Sequence, residues 1–382
     1  MEHKFSKDIR HEVEKIVEPD IVVHMDPRFS GCYTVAGDLT GDGKLELVSS
    51  RNNKQEVTAI GAYNLEGNLL WTWGEAGAGT AELGYDVPVQ IYDWYEENTN
   101  DVIFSKRGEL VVIEGSTGKV KDTLTLPKGL EVADCICFAN LTGKQRATDL
   151  IIKSRYRELW AYNQKFELLW KWKPWFEKTC HYPLLVDLDN DGMDEVFAGH
   201  KMLNNDGKSM WKLKSKNLKR KRGHHDAARV VKTGNNPEDF RIILTYCGAK
   251  YIALIDGNSK VLWEDSGEHY ESIDVGKFNP NFPAPQFYVD IDHTEFGKAL
   301  GYFYDYEGNK FGEIKLGYGR QHRTLDWNGD GLDEIIVANE LAVISGNGER
   351  IASLSFEDQS GTITPPQEEK ITTLHMGIYD FT

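Results

Sequence analysis

The feature that most constrains this chain is a pattern that returns every 45 to 55 residues, with its phase marked at positions 38, 93, 140, 187, 232, 278, 326 and 380. Three copies are plain. Segments 35–48, 184–197 and 323–336 each run from a short apolar strand through an Asp-x-x-x-Asp-Gly turn into a second apolar strand. Weaker copies stand at 90–93, 137–140, 229–232, 275–278 and 377–380. Each unit then continues into a third strand, a turn rich in Gly or Asn, and a fourth strand that often carries Trp, as at Trp71, Trp211 and Trp263. Four short strands in a unit of this length are the signature of a propeller blade. The sequence therefore predicts an all-β fold, a β-propeller of seven to eight four-stranded blades. They start near 33, 87, 134, 181, 226, 271, 322 and 374, in one domain over 29–382. Seven units are complete. The eighth position is either vacant, with terminal extensions, or filled by strands from both ends, 21–25 and 374–381; the second arrangement is preferred. Residues 1–28 read as an extension holding a short helix up to about Val17 and one strand.

At 382 residues with 44 basic and 60 acidic side chains, the formal charge of -16 sets up a mean field that repels phosphates. Nucleic acid and membrane surfaces are not expected partners. No run of about 18 apolar residues exists, and the first 20 residues lack the apolar stretch of a secretory leader, so a cytoplasmic location is expected. The five cysteines, Cys32, Cys135, Cys137, Cys180 and Cys247, include no C-x-x-C and read as structural thiols.

Antiparallel blades sort the motifs onto two faces. The turns between the first and second strands, A and B, share one face. Asp38, Asp42 and Glu46, then Asp187, Asp189, Asp191 and Glu195, then Asp326, Asn328, Asp330 and Glu334 place oxygen ligands at alternate positions around a tight Gly turn. That suits structural Ca2+, or a plain Asx-turn that needs no metal. The opposite face, made by residues before strand A and in the loops between B and C, gathers seven of the eleven histidines: His181, His200, His224, His225, His269, His322 and His375. Arg155, Tyr156, Lys201, Tyr246, Arg320 and Arg323 join them, with the basic run 212–222 leading to His224. Arg and Lys around a groove suit carboxylates. The expected partner is an acidic oligosaccharide; the oligomeric state is open.

The acidic-turn repeat, the Gly-rich third turns and the run Gly223-His224-His225-Asp226-Ala227 together resemble the bacterial rhamnogalacturonan lyases, eight-bladed propellers with a G-H-x-D-A motif before a strand A. The resemblance implies that His224, Asp226 and His181, one blade earlier, hold an active-site calcium. Where that family carries a glutamate after the next strand B, this chain has Tyr246-Cys247.

A lyase removes the C5 proton of a uronate and expels the sugar on O4, so it needs a carboxylate neutraliser, a base and an acid. His225 or Lys201 is the expected base, Arg155 the neutraliser, and Tyr156 completes the catalytic set. His200, His322, Arg320, Arg323, Tyr246 and His269 are expected to line the substrate site. Two other readings stand beside the lyase: a non-catalytic propeller that binds an acidic glycan or a protein, and a glycoside hydrolase of unusual mechanism, which would need paired carboxylates.

Overall fold

A computed structural model describes residues 6–8, 15–31, 33–81, 86–219, 223–292, 300–315, 322–355 and 375–378; of 6–8, Asn339 and 375–378 the backbone alone is described. Seven antiparallel sheets follow one another along the chain, each with its four strands A to D in sequential order. Their first strands are Tyr33–Gly37, Val89–Tyr92, Ile136–Ala139, Leu184–Val186, Ala228–Lys232, His269–Gly276 and His322–Leu325. An eighth, two-stranded sheet joins the ends of the chain. Ile21–His24 pairs antiparallel with His375–Ile378, so both termini contribute to one blade position. No helix among the described residues is long and apolar enough to cross a membrane.

The expected N-terminal helix is not what the described residues form. Ser6–Asp8 lies parallel to the outer strand of blade 6, Lys310–Lys315, and Ile16–Val17 lies parallel to the outer strand of blade 7, Arg350–Leu354. The outer strand of a blade leaves a row of backbone groups unpaired. A short charged segment gains more hydrogen bonds by pairing there than by forming an isolated helix, which is marginal at this length. Residues 1–5 and 9–14 lie outside the described set.

Two devices repeat from blade to blade. The first residue of strand B clips the preceding turn. Glu46 accepts the Leu39 N–H at 2.7 Å, Asp149 that of Leu141 at 2.8 Å, Glu195 that of Leu188 at 2.8 Å, and Glu334 that of Trp327 at 2.9 Å. Each acceptor is buried, and satisfying an otherwise orphaned turn amide explains why a carboxylate recurs at that position. The second device joins neighbours. The indole N–H of Trp71, Trp170 and Trp263 donates to the carbonyl of Gly115, Asn205 and Tyr306, each in the C–D turn of the next blade, at 2.6, 2.7 and 2.9 Å. The rings lie against turn glycines; at Gly207, with φ +76°, a Cβ would sit 2.7 Å from the Trp170 ring, so both backbone conformation and space demand glycine. Apolar clusters fill the space between successive blades, such as Val48, Ile60, Val89 and Phe104 between blades 1 and 2. Stacked this way, the blades present the segments before strand A, and the loops between B and C, at one face.

Candidate active site

The site is built where blades 2 to 5 meet at that face. Asp86 stands before strand A of blade 2, Arg155 and Tyr156 in the B–C loop of blade 3, His181 before strand A of blade 4, and His224 and Asp226 before strand A of blade 5. Backbone bonds hold the last two segments in register: the His181 N–H donates to the His225 carbonyl at 3.0 Å, and the His225 N–H to Thr179 at 3.2 Å. Asp86 and Tyr156 are both left-handed, φ +56° and +61°. Such conformations cost free energy in residues with a side chain and persist only where the surroundings impose them.

His181 is the hub. Its Nδ1 lies 2.7 Å from Asp86 Oδ2, and its Nε2 lies 3.0 Å from the Tyr156 hydroxyl, 3.0 Å from His224 Nε2 and 3.4 Å from Asp226 Oδ1. His224 Nε2 is 3.0 Å from the same Asp226 oxygen, and the His224 ring stacks on Tyr156 at 3.9 Å. Arg155 closes the group through Asp86 at 2.8 Å. Arg155 and Lys178 stand over the Tyr156 ring, 5.0 and 5.5 Å from its centre.

The electrostatics follow from this packing. Burial alone would depress the His181 imidazolium, but Asp226 and Asp86 outweigh it and raise the group to about 9. Burial alone would raise Asp226, but His181 and His224 hold its carboxyl well below the ordinary range. Burial pushes the Tyr156 phenol up, so it stays a proton donor at neutral pH. The cluster thus carries a protonated imidazole beside a neutral phenol, with two ionised carboxylates beneath.

Beside it, Lys153 is wholly buried, with Nζ 2.7 and 2.8 Å from the two oxygens of Asp134, which precedes strand A of blade 3. Burial opposes the Lys153 charge, yet Asp134 keeps the group raised. Such a pair is costly to break from one side, since that leaves an uncompensated buried charge.

Several expected site residues lie elsewhere. His225, named as a base, is fully buried and packs against Phe197 at 5.2 Å and Tyr246 at 5.6 Å. Burial drives it down to about 3. In the pair His224-His225 the first ring turns to the mouth and the second into the core, as alternation in an extended segment requires. His200 and Tyr246 are also core, their rings stacked 4.6 Å apart, with the Tyr246 hydroxyl donating to Gly199. His322 is buried between Asp274, at 2.8 Å, and Asp290, at 3.3 Å. Arg323, exposed, donates to the His322 carbonyl at 2.7 Å. His269 pairs with Glu271 at 2.9 Å. Lys201 is half-buried at the start of a strand, and no bond ties it to the hub. Arg320 and Arg220–Arg222 lie outside the described residues, as does the side chain of His375. The basic run is anchored where it is described: Leu213 and Leu218 are buried, and Lys212 pairs with Glu177.

Three residues were not singled out from the sequence for the parts they take. Asp86 orients His181; its signal is the Asp that also stands before strand A at Asp134 and Asp226. Lys178 stands over Tyr156. Trp175, 96% exposed on the same loop that Thr179 pins to the Tyr156 carbonyl at 3.1 Å, offers a bare aromatic face.

Metal-competent groups are specific. His181, His224 and Asp226 have ligand atoms within 4.8 Å of one another, as do Asp187, Asp189 and Glu195 in the blade-4 turn. No such convergence of the turn carboxylates occurs, among the described residues, at Asp38, Asp42 and Glu46 or at Asp326, Asp330 and Glu334. Those turns, with Asn328, are held by their own amides, such as Asp38 from Gly43 at 2.8 Å and Asn328 from Asp330 at 2.9 Å. Calcium takes six to eight oxygen ligands. The all-oxygen blade-4 turn fits that demand. The two imidazoles and one carboxylate at the mouth do not.

No family model matches the sequence. The chain is 26% identical over 380 residues to rhamnogalacturonan endolyase YesW of Bacillus subtilis (strain 168), a match that covers 80% of this chain and 57% of that protein. It therefore spans little more than half the length of that relative. Among solved structures it is similar to the exotype rhamnogalacturonan lyase YesX, with TM-score 0.60, 16% identity, and coverage of 82% of this chain and 64% of that one. The rhamnogalacturonan lyase PL11 of Bacillus licheniformis gives TM-score 0.58 at 19% identity, covering 85% and 66%. The chain is thus an all-β propeller with the fold of rhamnogalacturonan lyases and a sequence similar to one of them.

Proposed function

We propose that the chain is a polysaccharide lyase that cleaves uronate-containing, rhamnogalacturonan-type glycans by β-elimination at the mouth formed by blades 2 to 5. The observation that carries this reading is the run from the Tyr156 hydroxyl through His181 to Asp86 and Asp226, with Arg155 and Lys178 over the Tyr156 ring. The similarity to the endolyase supports it.

Each group has a part in the reaction. The uronate carboxylate docks on Arg155 and Lys178, whose charge stabilises the negative charge that builds on it as the C5–H bond breaks. Lys201, at the start of a strand on the same face, takes the C5 proton in its uncharged form. The C5–H electrons form the C4=C5 double bond while the C4–O bond breaks. Tyr156 protonates the departing oxygen, and His181, held protonated by Asp86 and Asp226, restores the phenol. Trp175 stacks on a sugar ring of the bound chain. No step is routed through a metal, because the mouth triad does not suit calcium. Ca2+ is proposed as a structural ion at Asp187, Asp189 and Glu195.

Hydrolysis is disfavoured by the same geometry. A hydrolase needs one carboxyl with a raised pKa as acid. Asp86 and Asp226 are both depressed and both tied to imidazoles. Incubation with rhamnogalacturonan oligomers is expected to raise ultraviolet absorbance as unsaturated uronate ends form. Binding without any rise, on every uronate polymer tried, would overturn the lyase reading in favour of a non-catalytic glycan binder.

A further inference from the structure

The His224-x-Asp226 element has a copy one blade further on. His269-x-Glu271 stands 45 residues later and likewise sits at the inner strand of its blade. Between the two lies Cys247, the residue that follows strand B of blade 5, Arg241–Tyr246. Its sulfur, a His269 ring nitrogen and a Glu271 carboxylate oxygen lie within 4.8 Å of one another. Cys247 and Glu271 are buried, and His269 is half-buried. The backbone around them is fixed. The Cys247 N–H donates to Asp226 Oδ2 at 2.5 Å, and the Thr245 hydroxyl donates to the Glu271 carbonyl at 2.5 Å.

We propose that Cys247, His269 and Glu271 form a second site, for a thiophilic divalent cation of the zinc class, separate from the His181–His224–Asp226 hub. One sulfur, one imidazole and one carboxylate are donors that zinc accepts together, whereas calcium and magnesium take oxygen. Zinc bonds of about 2.0–2.3 Å place ligand atoms about 3.3–3.6 Å apart around a tetrahedron, so His269 Nε2 and Glu271 Oε1, now 2.9 Å apart, would part slightly to admit the ion between them. Three protein ligands leave a fourth position for water or for an oxygen of a bound saccharide. The Cys247 sulfur is also 3.5 Å from His224 Nε2, so this site borders the hub without sharing its ligand set. Burial, then Asp226 and Glu271, keep the thiol protonated when no cation is bound. Binding therefore exchanges the thiol proton for the metal and releases that proton to the buffer. The inference does not depend on the lyase reading.

Cobalt(II) is the probe. Titration of chelator-stripped full-length protein is expected to give a near-ultraviolet thiolate-to-cobalt charge-transfer band that saturates at one equivalent. Zinc should displace it and calcium should not. Cys247→Ser should abolish the band. Cys137→Ser, at another thiol, and His181→Gln, in the hub, should keep it. Glu271→Gln, which preserves the side chain's volume should Cys247→Ser unfold the blade, should weaken cobalt binding by about tenfold or more. Absence of the band, its survival in folded Cys247→Ser, or unchanged affinity in Glu271→Gln would overturn the proposal. None of these readouts requires turnover.

Discussion

At the scale of the residue, the same side-chain type takes opposite parts according to what surrounds it. His181 and His322 each sit between two carboxylates and are held at about 9, while His225 is enclosed in the core, where burial outweighs Asp226 and takes it down to about 3. For His322 burial opposes the charge, and Asp274 and Asp290 outweigh it. Its pKa is thus higher folded than the 6.5 of an unfolded histidine, so its contribution is full below pH 6.5 and is lost as pH rises toward about 9. Thermal melts from pH 6 to 9.5 are therefore expected to show stability falling across that window by a few kcal/mol. His322→Gln should be less stable at the acid end and flatter across the range. Parallel profiles for the two proteins would remove His322 as the cause; His181, which titrates in the same range, is common to both. None of this contrast is visible in the sequence, which shows eleven histidines and no burial. The G-H-x-D-A run marked His224 and Asp226 correctly as neighbours of His181. It could not say which of two adjacent histidines faces the mouth.

At the scale of the element, the A–B turn was legible because its chemistry is local. Asp187 accepts amides from Asp191 at 3.1 Å and Gly192 at 3.0 Å, the pattern of an Asx-turn, and Glu195 returns to Leu188. The same residues support a structural ion only where a further carboxylate converges, and that depends on side-chain placement beyond the spacing. Glu195 is raised to about 7 by burial, with Asp189, Asp191 and Asp187 adding to the shift. Carboxylates so crowded are relieved by a divalent cation. Calcium removal by chelator is expected to lower the melting temperature, since an ion that binds only the folded state stabilises it by mass action. Asp189→Asn should abolish that sensitivity and cost little else, because Asp189 contributes one weak amide contact at 3.3 Å. An unchanged melting temperature in chelator, with no calcium by elemental analysis, would contradict a bound ion. At Ser6–Asp8 and Ile16–Val17 a strand stands where a helix was expected, for a physical reason. The local charge pattern suits a surface helix, but the outer edges these residues pair with are made by Lys310–Lys315 and Arg350–Leu354, far along the chain, and a local reading cannot weigh them.

At the scale of the whole molecule, the period of the repeat carried the architecture. A unit of constant length with four strands leaves few other folds, and the tryptophans of alternate blades mark where neighbours are joined. The pairing of Ile21–His24 with His375–Ile378 ties the ends into one blade position, so loosening either end should disturb both. The site was less legible because its parts come from four blades, with Asp86 reaching His181 across 95 positions of sequence. The central claim is that this assembly at the mouth, with Tyr156 as its proton donor, performs an elimination. The most direct test is kcat on rhamnogalacturonan oligomers for Tyr156→Phe against the unaltered protein. A fall of about 10²–10⁴-fold is expected, with KM and melting temperature little changed, the loss that follows from a missing general acid. Full turnover in a folded Tyr156→Phe protein would contradict it.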